Sequence, residues 1–163
     1  MKKFQTGVML CLVALAALTA DAVSPPTNSP EEVVRAFNAA LSERRLDAAL
    51  ALLAKGAVNF NLESAHGFTS TPGATAPLTS DLAVHWRTVA PVLYATHRRY
   101  TREVDAASTQ ADASLAVVWT RLRTRAEPLR GGPTLLVFAE TYVMHREAGG
   151  WRIAGVANSR QTR

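Results

Sequence analysis

Cysteine is almost absent. The chain carries one, Cys11, inside an apolar stretch near its start. Beyond that stretch there can be no disulfide, no thiol nucleophile and no thiolate metal ligand. Histidine is scarce too. His66, His85, His97 and His145 are the whole set, and no two are spaced to hold a metal from one helix or strand. The sequence therefore predicts no metal site and no cofactor. It lacks a phosphate-cradling glycine loop, a nucleotide fingerprint and a Ser-His-Asp arrangement, and Gly131-Gly132-Pro133 reads as a turn. Lysine is confined to Lys2, Lys3 and Lys55, so almost all of the positive charge is arginine. Internal repeats and low-complexity tracts are missing as well.

Long hydrophobic runs are limited to one, residues 7–20, which is too short for the roughly 20 apolar residues of a spanning helix. Lys2 and Lys3 precede it, and Ala20-Asp21-Ala22 follows as a small-x-small cleavage pattern. Residues 1–22 are expected to be a signal peptide cleaved near Ala22. The protein would then be exported, periplasmic or secreted from a bacterium, meeting the membrane only transiently through that leader. Cys11 lies too early in the run to be a lipidated cysteine. The formal charge of the chain is +5. With export, that modest excess argues for a basic surface rather than a nucleic-acid partner.

What is present organises the rest into one domain. Residues 23–28 form a proline-containing spacer, and the domain is expected over 29–160. Ser29-Pro30-Glu31-Glu32 is a helix start with a capping residue, a proline at the first helical position and a glutamate three residues after the cap. Val33, Val34, Phe37, Ala40 and Leu41 continue at helical spacing. Residues 46–54 read as a second helix stopped by Lys55-Gly56. The period then changes to two, with Val58, Phe60 and Leu62 on one side of a strand and Asn59, Asn61 and Glu63 on the other. Residues 64–80 have no periodicity and suggest a lid or a degraded hairpin. Ser80-Asp81 caps a third helix carrying Leu82, Trp86 and Val89, which Pro91 should kink or end early. Four strands follow at about 97–106, 113–125, 134–147 and 151–160, the last two joined at Gly149-Gly150. Consecutive strands with short turns predict an antiparallel meander with the helices segregated to one face, an α+β domain.

This order of elements resembles the nuclear transport factor 2-like superfamily, with its SnoaL-like and ketosteroid-isomerase-like domains. The most telling stretch is the C-terminal hairpin ETYVMHREAGGWRIAGVANS, residues 140–159, and residues 29–61 are similar to the family's first helices and strand. The resemblance implies a cystatin-like cone, three N-terminal helices packed on a strongly curved antiparallel sheet, with an apolar cavity. It also implies a homodimer through the outer sheet face. The catalytic pattern of ketosteroid isomerase is not matched. On the early strand only Glu63 could ionise, and Phe37 stands where a polar group is expected on the helix.

The candidates for chemistry are few. Glu140 shares a strand face with Leu136, Phe138, Tyr142 and Met144, so alternation sets a carboxyl group among apolar side chains. If that face lines the cavity, Glu140 suits a general acid or base; if it meets solvent or a partner, it is an ion-pair residue. His85, beside the stripe of the third helix, is the second catalytic candidate. Phe37, Phe60, Trp86, Trp119, Phe138, Tyr142 and Asn158 are the expected ligand-pocket residues, with core packing the alternative for each. Arg121, Arg123 and Arg125 alternate on one strand and Arg98, Arg99 and Arg102 lie on the one before, which predicts a basic strip that deters aggregation or meets an anionic partner.

Three functions stay open on these grounds. The leading one is a cone that binds a small apolar or amphipathic ligand. The second is an isomerase, cyclase or dehydratase using Glu140 with His85. The third is a dimeric structural or interaction module of the cell envelope.

Overall fold

The computed structural model describes residues 29–60 and 79–158. The leader, the spacer, Glu63, His66 and most of the 64–80 segment lie outside the described residues.

Helix α1 (Pro30–Ser42) starts as its sequence dictates. The Ser29 hydroxyl accepts the Glu32 amide at 3.2 Å, and Glu32 Oε2 accepts the Ser29 amide at 3.0 Å. Its buried stripe holds Val33, Val34, Phe37, Ala40 and Leu41, and one polar residue, Asn38. Arg44 follows with a positive φ of 61°, and its guanidinium donates to the carbonyls of Tyr94, His97 and Arg98. That clamp ties the end of α1 to the next helix–strand junction.

Helix α2 (Leu46–Leu50) is shorter than the expected 46–54. Ala51 and Leu52 form a turn, and the residues after them enter strand β1 (Leu53–Phe60), because Leu53 pairs with Ile153 near the end of the described residues. Tertiary pairing overrides local helix propensity there. Gly56, at φ 76°, lies where the pairing register shifts between Leu53 and Val58. A shift of this kind changes which residues face inward.

Helix α3 (Leu82–Thr96) is capped by Asp81, whose carboxylate accepts the Val84 amide at 2.9 Å. The helix runs through Pro91 instead of stopping at it. Pro91 and Arg87, four residues before it, are both exposed, so the carbonyl left without an amide partner can be met by water.

Strands β2 (His97–Ala111), β3 (Leu115–Pro128), β4 (Thr134–Glu147) and β5 (Gly150–Asn158) form the expected antiparallel meander. The sheet order is β1-β5-β4-β3-β2, and β1 joins β5 in parallel, so the curved five-stranded sheet is mixed rather than wholly antiparallel. Helices α1 and α3 pack on its inner face, and α2 packs against the two of them. Phe37, Leu41, Leu82 and Trp86 there meet Val118, Tyr142, Met144, Trp151 and Ile153 in one core.

Candidate functional site

Alternation on β4 turns Phe138, Glu140, Tyr142 and Met144 toward the helices and leaves Leu135 and Val137 outside. Glu140 is thereby 3% exposed. A carboxylate in such a place needs partners, since burying an unpaired charge is prohibitive. Two strands away on the same inner face stands Arg102, 4% exposed, whose Nη2 meets Glu140 Oε2 at 2.5 Å. Arg102 Nε donates to Asn38 Oδ1 at 2.7 Å, Asn38 Nδ2 donates to the Tyr142 hydroxyl at 2.9 Å, and that hydroxyl donates to Glu140 Oε2. Four residues from α1, β2 and β4 thus close a ring of hydrogen bonds. The Trp86 ring lies 5.2 Å from the Arg102 guanidinium carbon, a cation–π contact under the same charge.

The electrostatics follow from this closure. Burial alone would disfavour the charged guanidinium, but Glu140, with Tyr100 and Tyr142 behind it, more than compensates and raises the pKa of Arg102 further. Tyr142 is pushed well above an ordinary phenol, first by burial and then by the neighbouring Glu140 charge. It keeps its proton and acts as a donor.

Beside the ring is a cavity of about 310 Å³. Leu82, Trp86, Val89, Leu93, Leu136 and Val156 give it apolar walls; Asn59, His85, Tyr100, Thr124 and Asn158 join Arg102 and Glu140 as its polar lining. Asn59 Nδ2 lies 3.4 Å from His85 Nδ1, which fits an amide N–H directed at an unprotonated ring nitrogen. Thr124, 4% exposed, has a buried hydroxyl with no hydrogen-bond partner among the described residues, while Thr120 on the same face donates to the Glu140 carbonyl at 2.8 Å. Among the described residues no three His, Cys, Asp or Glu side chains group as metal ligands.

The structure brings together four of the residues singled out in the sequence: Glu140, His85, Trp86 and Asn158 all border the cavity. Phe37 stands behind, edge-on to Trp86 at 6.0 Å and to Tyr142 at 6.4 Å. Tyr142 and Phe138 are buried on the inner face of β4 without lining the cavity. Two expected pocket residues lie elsewhere. Trp119 is 45% exposed on the outer sheet face, because β3 turns Val118, Thr120, Leu122 and Thr124 inward. Phe60 is 47% exposed, because the β1 register shift reverses the expected sidedness and turns Asn59 to the cavity. Its ring lies across Gly155, where a Cβ would come within 2.8 Å of Phe60 Cε2.

The predicted basic strip is divided. Arg121 and Arg123 meet Asp105 outside, while Arg102 belongs to the interior. Arg102 and Asn38 are the main residues that sequence reasoning missed. Both carry a signal. Arg102 alternates with Tyr100 and Val104, and Asn38 sits four residues after Val34 and three before Leu41, within the apolar stripe.

No family model matches the chain, and no curated protein matches it. Solved structures do. A nuclear transport factor 2-like superfamily protein from Salmonella enterica superposes with a TM-score of 0.61 at 14% identity, over 81% of this chain and 89% of that one. An NTF2-like protein with a cystatin-like fold from Novosphingobium aromaticivorans gives 0.59 at 12% identity, over 80% and 79%. A ketosteroid isomerase-like protein from Erwinia carotovora gives 0.56 at 18% identity, over 82% and 94%.

Proposed function

We propose, from the premise that this chain has the nuclear transport factor 2-like, cystatin-like fold, that it binds a small apolar or amphipathic ligand inside the cone. The observation that carries the reading is the cavity of about 310 Å³, apolar along its walls and polar toward Arg102 and Glu140. Its size falls within the range of small-molecule sites, which combine apolar lining with a few convergent polar groups. Residues 23–163 screened by thermal shift against small hydrophobic and amphipathic molecules should give at least one stabilising hit that Trp86→Ala weakens. A folded protein that none of them stabilises would remove the reading.

A second reading rests on the inward position of Glu140 and the presence of His85 in the same wall. It is an isomerase, cyclase or dehydratase, in line with the fold likeness to a ketosteroid isomerase-like protein. Arg102 and Tyr142 already engage Glu140 Oε2, which shifts proton transfer toward His85. Turnover abolished by His85→Gln, with folding and ligand affinity retained, would favour this reading over simple binding.

The compartment and the assembly are part of the proposal. The leader is taken to be cleaved near Ala22 and the domain exported; the N-terminal residue of the processed protein tests this. The exposed apolar residues Leu115, Trp119, Leu135 and Val137 on the outer sheet face support a homodimer formed there. A monomeric mass in solution at micromolar concentration would count against it.

A further inference from the structure

We infer that the cavity selects uncharged ligands, recognising a neutral hydroxyl, carbonyl or amide head and rejecting both carboxylates and ammonium-type cations. This rests on the ligand-binding reading and sharpens it. Among the described residues, the charged side chains bordering the cavity are Arg102 and Glu140 alone. They are not available to a ligand as charges, because they neutralise each other at 2.5 Å. Arg102 Nε is in addition taken by Asn38, and Glu140 Oε2 by Tyr142. An ionic head entering here would lose its hydration and gain no counter-charge.

The rest of the polar lining is amide, hydroxyl, phenol and the His85 imidazole, groups suited to hydrogen bonding. Asn59 on β1 and Asn158 on β5 lie on neighbouring strands, and the register pairs Asn59 with Val156, two residues before Asn158. That spacing puts both carboxamides on one face within reach of a single small head. Each offers a donor and an acceptor. Thr124 stands opposite Arg102 on one side and Leu136 on the other, and its buried hydroxyl has no hydrogen-bond partner among the described residues. One step about its χ1 exchanges methyl and hydroxyl on the wall.

The test uses one shape with three charges, 2-naphthamide, 2-naphthoate and 2-naphthamidinium, titrated calorimetrically at pH 8. The amide is expected to bind about tenfold or more tighter than either ion, the size of effect that an uncompensated desolvation produces. Binding of the naphthoate as tight as the amide would mean the guanidinium is open to ligands and would overturn the inference; equal binding of the amidinium would do the same for the carboxylate. If all three bind alike, the site accepts ligands without charge selection, so this inference fails while the binding reading stands. If none binds to folded protein, the binding reading fails and takes this one with it. Glu140→Gln frees the Arg102 charge and should reverse the preference toward the naphthoate by about tenfold; an unchanged order in a folded variant overturns the inference. Should that variant not fold, the Arg102→Gln, Glu140→Gln double variant restores a neutral wall and must keep the amide first.

Discussion

Two arginine–carboxylate clusters sit on opposite faces of the same sheet. Inside, Arg102 and Glu140 have side chains 2% and 4% exposed, and Asn38 and Tyr142 complete their hydrogen bonds. Outside, Asp105 meets Arg123 at 3.0 Å and Arg121 at 4.0 Å, with the arginine side chains 40% and 66% exposed. The chemistry of the groups is the same, and the distances differ by less than 2 Å. What differs is the medium. The outer charges can return to water at little cost, whereas each inner charge depends on the other, and removing one strands its partner. Asp105 faces outward by alternation with inward Arg102 and Val104, and the β2–β3 register shift between Val104 and Ala106 leaves it as the extra residue of a bulge.

The comparison can be broken most decisively at Glu140. Glu140→Ala leaves Arg102 buried and unpaired and should cost about 3–5 kcal/mol in chemical denaturation; a loss below about 1 kcal/mol would mean the inner pair behaves like a surface one. Tyr142→Phe comes next, at about 2 kcal/mol near neutral pH, from the loss of its bonds to Glu140 and Asn38. It also carries a pH signature. Tyr142 holds its proton more tightly in the folded chain than the ordinary value of 10.0 in the unfolded one. Its contribution is therefore complete below pH 10 and declines as the pH rises above that. Melting curves between pH 9 and 11 should fall less steeply for Tyr142→Phe than for the parent, and parallel slopes would show that the phenol is not the source. Tyr94, also raised, first by burial, leaves a residual slope in both.

Thr124→Val reverses the sign. Replacing an unpartnered buried hydroxyl with a methyl should stabilise the empty protein by about 1 kcal/mol, seen as a higher melting temperature. A lower one would reveal a bond that the valine has lost. The smallest effect belongs to Asp105→Ala on the outer face, under about 1 kcal/mol and shrinking further in 1 M salt. An effect rivalling that of Glu140→Ala would erase the distinction between the faces.

Much of this architecture is legible in the residues, and the limits are physical. The change from helical to two-residue spacing marks the order of elements, and alternation alone turns Glu140 inward among Phe138, Tyr142 and Met144. The partner of Glu140 is not found that way. Arg102 lies 38 positions earlier, among other arginines, and only the pairing of β2 with β3 and β3 with β4 brings the two to one face. Asn38 is visible as a polar break in the stripe of α1, but its meaning depends on Arg102 and Tyr142. On β1 the pattern of Val58, Phe60 and Leu62 misleads, since local alternation takes no account of the bend at Gly56 or the register against β5. Trp119 misleads for a different reason: an apolar strand face can look outward when the sheet has large residues on both sides.

The place of β1 in the sheet has a temporal consequence. Its neighbour is β5, the last of the described strands, so nothing translated before residue 150 can complete this sheet. While the chain emerges from the ribosome, the N-terminal strand waits unpaired through the making of the whole meander, and closure comes as a late, long-range event of the slow kind. A nascent chain halted after β4 would carry Glu140 without the β5 strand that pairs with it.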